Sequence, residues 1–207
     1  MRPLYVSRTA CITRQSVSVN GKELPVSSGD GRFLAAVYRT LGIDYPKFFK
    51  MDNLSKLGFL ASELLLREDR PRFVPREDCA VICFNRSASL DADTLYQATI
   101  GPGEDYFPSP SLFVYTLPNI VTAEIAIRNK LYGETSFYIC EAFSAHQLFT
   151  TVSHAFADSS IRSALAGWTE YGNEVCEAFL MQIETFPPPE TALPFSVEFL
   201  TRIKNKL

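Results

Sequence analysis

Residues Cys79 to Phe84 read CAVICF, six apolar residues in succession. A run of that length is a strand, and a strand without polar alternation is covered on both faces. Helices must therefore lie on either side of it, in a sheet that is parallel or mixed. Cys79 and Cys83 fall on one face of that strand, about 13 Å apart by strand rise, so they neither pair nor share a metal.

The remaining chain supplies the layers. LYVSRTACIT at the start predicts a strand, and the polar stretch Gln15 to Gly31 an irregular loop. A helix is expected to begin at Asp30 or Gly31, with Phe33, Ala36, Val37 and Leu41 at helical spacing up to Gly42. After a turn at Asp44-Tyr45-Pro46, Asp52 or Asn53 caps a second helix whose Leu54, Leu57, Leu60, Ala61, Leu64 and Leu65 form a broad buried stripe. Residues 67 to 78, REDRPRFVPRED, read as a solvated connection whose charges cancel.

Beyond CAVICF, a helix is expected over Ala88 to Ile100, ended by Gly101-Pro102-Gly103 and followed by the proline-punctuated loop YFPSPSLF. The Gly-Pro-Gly lacks the spacing and the lysine of a phosphate loop. A further helix spans Asn119 to Leu131, with Gly133 as its stop. Ser136 to Cys140 is a strand, and Ser144 to Ala157 a helix apolar or small around most of its circumference, expected to be buried on several sides. Two strand-like runs follow, Ile161 onward through Gly167-Trp168 and Val175 to Ile183. Pro187-Pro188-Pro189 makes a stiff linker, and ALPFSVEFLTRIKNKL a short basic helix. The alternation is that of an α/β layered fold.

With 207 residues, 46% of them hydrophobic, the chain is expected to form one globular unit. The 20 basic and 23 acidic residues lack the excess that a phosphate-backbone binder uses, so nucleic acid is not an expected partner. No apolar segment has the length of a signal core or a membrane span, which predicts a cytoplasmic protein. The five cysteines, an odd and scattered set, read as reduced thiols. There is no G-x-S-x-G elbow, H-E-x-x-H or C-x-x-C, and no cofactor or metal is expected.

Four segments carry a family likeness. Ser109 to Gly133, SPSLFVYTLPNIVTAEIAIRNKLYG, resembles the β-ketoacyl synthases of fatty acid and polyketide assembly in its proline loop and LPN turn before a helix. Ser136 to Cys140 with the helix from Ser144 is similar to the nucleophile strand and central helix of that family. Ser163 to Glu170, SALAGWTE, resembles its ALAGG-x-E strand, and YVSRTACIT its opening strand. The likeness runs over residues 1 to 183 and covers only the N-terminal half of such an enzyme. It implies half of a thiolase-like architecture, a mixed sheet with helices on both faces, and makes 184–207 a linker and C-terminal segment of the same domain.

In the family a cysteine at the strand-to-helix turn takes the acyl chain, and two histidines from the other half assist. Counting from Gly133, the nucleophile position falls on Ala142, which cannot attack. Cys140, two residues upstream, is the one candidate nucleophile, and Glu141 beside it would oppose thiolate formation. His146 and His154 stand about 12 Å apart along one helix, too far to share a metal, and are expected in the core or an interface.

The resemblance implies a non-catalytic subunit that pairs with a full-length ketosynthase in the manner of a chain-length factor, or with a second copy, and that meets an acyl carrier protein. The pairing would run through the nucleophile strand and its turn, Phe137, Tyr138, Ile139, Cys140, Phe143 and His146. Two alternatives stand beside it. One is a small acyl transferase or thioesterase using Cys140; the other is an acyl-binding module in which Phe195, Val197, Phe199, Leu200 and Ile203 fold back over the helix from Ser144.

Overall fold

The apolar run is the strand β4 (Cys79–Asn85), and all seven of its residues are buried. The computed structural model describes residues 2–26, 33–101, 107–172, 174–186 and 193–204. β4 is parallel to both of its neighbours, β5 (Thr135–Ile139) and β6 (Ser163–Gly172). Next to β6 come β7 (Val175–Glu184) and β1 (Tyr5–Ile12), both antiparallel. The far edge of β1 is shared by β2 (Val17–Val19), which also pairs with β3 (Lys22–Glu23), and by the two residues of β8 (Leu193–Pro194). β5 lies at the opposite end of this mixed eight-stranded sheet.

Each face of β4 enters a different core. Cys79, Val81 and Cys83 pack with α1 (Phe33–Thr40), α2 (Asn53–Leu66) and α5 (Ile120–Asn129). Ala80, Ile82 and Phe84 pack with α6 (Ala145–Ala155) and α7 (Val197–Lys204). The expected placement of Cys79 and Cys83 on one face holds. So does the cap of α2, where the Asp52 carboxylate accepts from Ser55 N at 3.0 Å. Burial raises the Asp52 pKa above the usual carboxylate range, against the hydrogen bonds from Ser55.

Several expectations need correction. Part of the stretch read as irregular loop is the β2–β3 hairpin, turned by Asn20 and Gly21 at φ of 51° and 73°. Both values are positive, as a tight hairpin turn with the right twist requires, and Asn-Gly meets that need. Asn20 also accepts a bond from Thr9 N at 2.8 Å, tying the turn to β1. The expected helix start at Asp30 or Gly31 lies outside the described residues, as does the triple proline.

The helix expected from Ala88 is α3 (Leu90–Gln97). Ala88 has φ of 51° and is held by Asn85, whose side chain accepts from Ala88 N and donates to Ala88 O, so the helix cannot begin there. A short helix, α4 (Pro110–Val114), interrupts the proline loop, with Pro110 in its first turn and Ser109 as cap. α5 is stopped by Lys130 in the left-handed region and not by Gly133. Gly133 instead lies against the backbone of Cys79, where any side chain would collide.

Residues 67 to 78 are anchored as well as solvated. Glu63 of α2, 5% exposed, receives Arg72 at 2.7 Å and Arg128 of α5 at 3.0 Å. The Arg128 guanidinium also lies 4.6 Å from the ring centre of Tyr45 and 4.5 Å from that of Phe73. One buried carboxylate thus neutralises part of a two-arginine charge, and aromatic faces hold the surplus. Arg8 and Asp69 form a second bridge between β1 and this segment.

α6 was expected to be buried on several sides, but it presents one covered face. Leu148, Val152, Ala155 and the following Phe156 point into the core, whereas His146, Gln147 and His154 are exposed. α7 completes the covered side with Phe195, Phe199 and Leu200 buried there, and Phe149 stacks on Phe195 at 5.3 Å. Ile203 packs at the margin of this cluster.

Two substitutions test this account. Glu63→Ala leaves two half-buried guanidinium groups without their acid and is expected to lower the free energy of unfolding by about 2–4 kcal/mol. Gly167→Ala drives a methyl group into the Phe179 carbonyl across the β6–β7 pair and is expected to cost at least about 2 kcal/mol. Urea unfolding midpoints followed by circular dichroism measure both; a wild-type midpoint in either variant contradicts the corresponding contact.

Candidate functional site

The strand-to-helix turn after β5 is built from three directions. Cys140 N donates to Asn85 O at 2.8 Å, extending the β4–β5 pairing by one rung. Ser144 caps α6 by accepting from Gln147 N at 3.2 Å. Between these fixed points Glu141 and Ala142 are exposed and Phe143 is half-buried. Phe143 meets Trp168 of β6 edge-on at 5.9 Å, and Phe84 stacks on Tyr138 at 5.0 Å.

Beside the turn, Arg86, Glu141, Ala142, Phe143, Ser144 and Gln147 line an open cleft of about 650 Å³. Its β4 side is shaped by Glu170, a buried carboxylate that accepts from Arg86 N at 2.7 Å and Ser87 N at 3.3 Å. Glu170 ends the SALAGWTE segment, and no local pattern marks it as an organiser of the β4–α3 connection. Asn85, which holds Ala88 in its left-handed conformation, was likewise missed because a polar residue at the end of an apolar strand reads as a mere boundary. Trp168 stands where the ketosynthase pattern has a glycine; its indole N–H donates to Glu177 at 3.0 Å, so its ring fills the space under the turn.

The residues expected at a pairing surface fall together on this end of the sheet. Phe137 turns toward the α2–α5 core and Tyr138 toward the α6 core, both half-buried. Ile139 is 57% exposed, and His146 is exposed one turn into α6. Among the described residues, β5 pairs only with β4, so its outer edge is open. His154 is also exposed, which removes the core reading of both histidines.

Cys140 is half-buried beside the turn. Its thiol pKa is raised, chiefly by burial, with a hydrogen bond to Gln147 acting the other way. Cys83, fully enclosed, is pushed up to about 12, and Cys176 to about 11. Burial disfavours the thiolate, which is the reactive form. Among the described residues, all five cysteines are free, no group of three or more His, Cys, Asp or Glu could hold a metal ion, and no helix is long and apolar enough to cross a membrane.

No protein-family model matches the sequence, and no curated protein matches it. Solved structures do. The ketosynthase ApeO in complex with its chain length factor ApeC, from Xenorhabdus doucetiae, superimposes with a TM-score of 0.61 at 15% identity. The match covers 98% of this chain and 91% of that one. The ishigamide ketosynthase/chain length factor gives 0.60 at 13% identity, over 88% of this chain and 62% of that one. The fold is ketosynthase-related and thiolase-like.

A β-ketoacyl synthase from Burkholderia phymatum STM815 shares this fold, with a TM-score of 0.57 at 11% identity over 90% of the chain and 60% of the synthase. The chain thus spans about three fifths of the ishigamide and Burkholderia chains, and nearly the whole of the matched chain in the Xenorhabdus complex. In this thiolase-like frame the turn at 140–144 joins β5 to α6.

The raised thiol pKa gives a direct expectation. At pH 7.4 the native protein should alkylate at Cys140 more slowly than a free thiol such as glutathione, with the rate climbing as pH rises and after denaturation. Iodoacetamide labelling with peptide mass mapping checks it; rapid, selective labelling of Cys140 near neutral pH would contradict the raised thiol pKa.

Proposed function

We propose that this chain is a non-catalytic ketosynthase-like subunit in fatty acid, polyketide or polyene assembly, pairing with a complete ketosynthase as a chain length factor does. The observation that carries the reading is the turn after β5: the nucleophile position inferred from the resemblance is an exposed alanine, and the strand leading to it has an open edge. Ala142 offers no attacking atom, Cys140 has a raised pKa, and both histidines lie exposed on α6.

The open edge is suited to pairing with another chain. An unpaired strand presents a row of free N–H and C=O groups that a second strand can satisfy. Ile139 adds apolar surface to that edge, and α3, α4 and the turn after α4 expose Leu90, Leu95, Phe113, Val114 and Leu117. Apolar surface of this extent is characteristic of association sites. That two of the similar structures are named for a ketosynthase and its chain length factor, one of them with a matched chain of comparable length, favours a complete ketosynthase as the occupant over a second copy. An acyl carrier protein would then meet the pair through the catalytic partner.

The alternative of an enzyme using Cys140 has the thiol's environment against it. The acyl-binding module keeps one supporting observation, the cover of α6 by α7, although no cavity follows from that contact alone.

The test is affinity purification of the tagged protein from its own cells, followed by native mass spectrometry. A one-to-one complex with a full-length ketosynthase is expected, and Ile139→Asp, which sets a charge on the exposed edge, should dissociate it. A complex of unchanged mass in the variant removes β5 as the interface; a lone monomer or homodimer from the wild type removes the accessory-subunit reading.

A further inference from the structure

A second cleft, of about 670 Å³, lies on the α1–α2 side of the sheet and shares no lining residue with the turn at Ala142. Three cations reach it from separate stretches of chain: Arg14 from the loop after β1, Arg39 from α1 and Lys56 from α2. Among the described residues, no Asp or Glu lines it. Arg14 and Arg39 form no salt bridge among the described residues. Two carboxylates stand behind the wall: Asp91, bonded to Asn53 at 3.0 Å, and Glu177, beside Cys176.

The floor and walls are apolar or aromatic. Cys176 is buried and Tyr171 half-buried; the charge of Arg14 reaches both, opposed by Asp91 at Tyr171 and by Glu177 at Cys176. Phe33 is half-buried on one wall, and Phe49 on the rim is 59% exposed while its neighbour Phe48 is fully buried. An exposed phenylalanine at the mouth of a concave site offers a face for a flat or aliphatic group. The whole chain carries a net charge of −3, so a cleft with uncompensated arginines runs against the overall balance and concentrates positive potential locally.

We infer that this cleft binds a phosphorylated organic anion. The phosphate sits between Arg14 and Arg39, whose guanidinium forks match its oxygens in geometry and charge, and the organic body lies along Phe33 and Phe49. The volume falls within the range of small-molecule sites, and the walls are concave, which favours a compact ligand over an extended acidic peptide. This site is independent of the subunit pairing proposed above.

The experiment is calorimetric titration of the full-length protein with coenzyme A, adenosine diphosphate and inorganic phosphate separately. Saturable binding of at least one of the two organic phosphates is expected, tighter than inorganic phosphate and weakening as salt is raised. Arg14→Gln with Arg39→Gln should reduce that affinity at least tenfold, while Arg202→Gln on α7 leaves it unchanged. Phe49→Ala should weaken the organic ligand severalfold and spare inorganic phosphate. Equal affinity for the two organic ligands assigns the nucleotide moiety, and a marked preference for coenzyme A assigns the pantetheine arm; both support the site. Absence of binding by either at millimolar concentration overturns the proposal, as does undiminished affinity in a double variant whose circular dichroism is native.

Discussion

Burial of β4 on both faces is the condition on which the other layers depend. A strand with seven buried residues has no side to offer solvent, so α2 and α5 must cover one face and α6 the other. Its two parallel neighbours then need crossover connections, which α3, α4 and α5 supply before β5 and α6 before β6. The ends of these parallel strands converge where β4 passes into α3 and β5 into α6. That convergence sets Asn85, Glu170 and the Ala142 turn within one hydrogen-bonded neighbourhood, although they are scattered across the sequence.

The sheet was largely legible in the sequence because its signals are local. CAVICF, SFYIC and VCEAFLMQI declare strands by apolar runs, and the leucine stripe of α2 declares a helix by its period. What escaped reading depends on distant partners. The anchoring of Arg72 requires Glu63 and Arg128, which no local pattern links, so a segment of balanced charge read as solvated. The Asn-Gly hairpin was a local signal overlooked within a polar stretch. The helix stop at Lys130 illustrates the reverse error: Gly133 is the obvious punctuation, yet its lack of a side chain serves the close approach to Cys79.

The site was legible only in part. The strand, turn and helix around Ala142 were visible through their resemblance to ketosynthase segments, and the structure brings Phe137 to His146 to one end of the sheet. The covering of α6 was half anticipated, since the apolar residues of α7 were recognised but the polar outer face of α6 was not. An apolar count around a helix does not separate small exposed residues from packed ones. Glu170 and the arginine cleft had no sequence signature, because each is assembled by tertiary contact.

The place of β1 in the sheet has a consequence for how the chain is made. β1 is the first strand of this fold in chain order, yet apart from the short β2 its partners are β7 and β8, some 170 residues later. At typical synthesis rates of about 5–20 residues per second, β1 waits roughly ten to thirty-five seconds for β7 to appear. Through that interval Val6, Ala10 and Ile12 lack their strand partner, and of these only Ala10 and Ile12 share a core with the earlier helices α1 and α2. The pairings of β1 with β7 and β8 thus span most of the fold in sequence, and contacts of such separation slow folding.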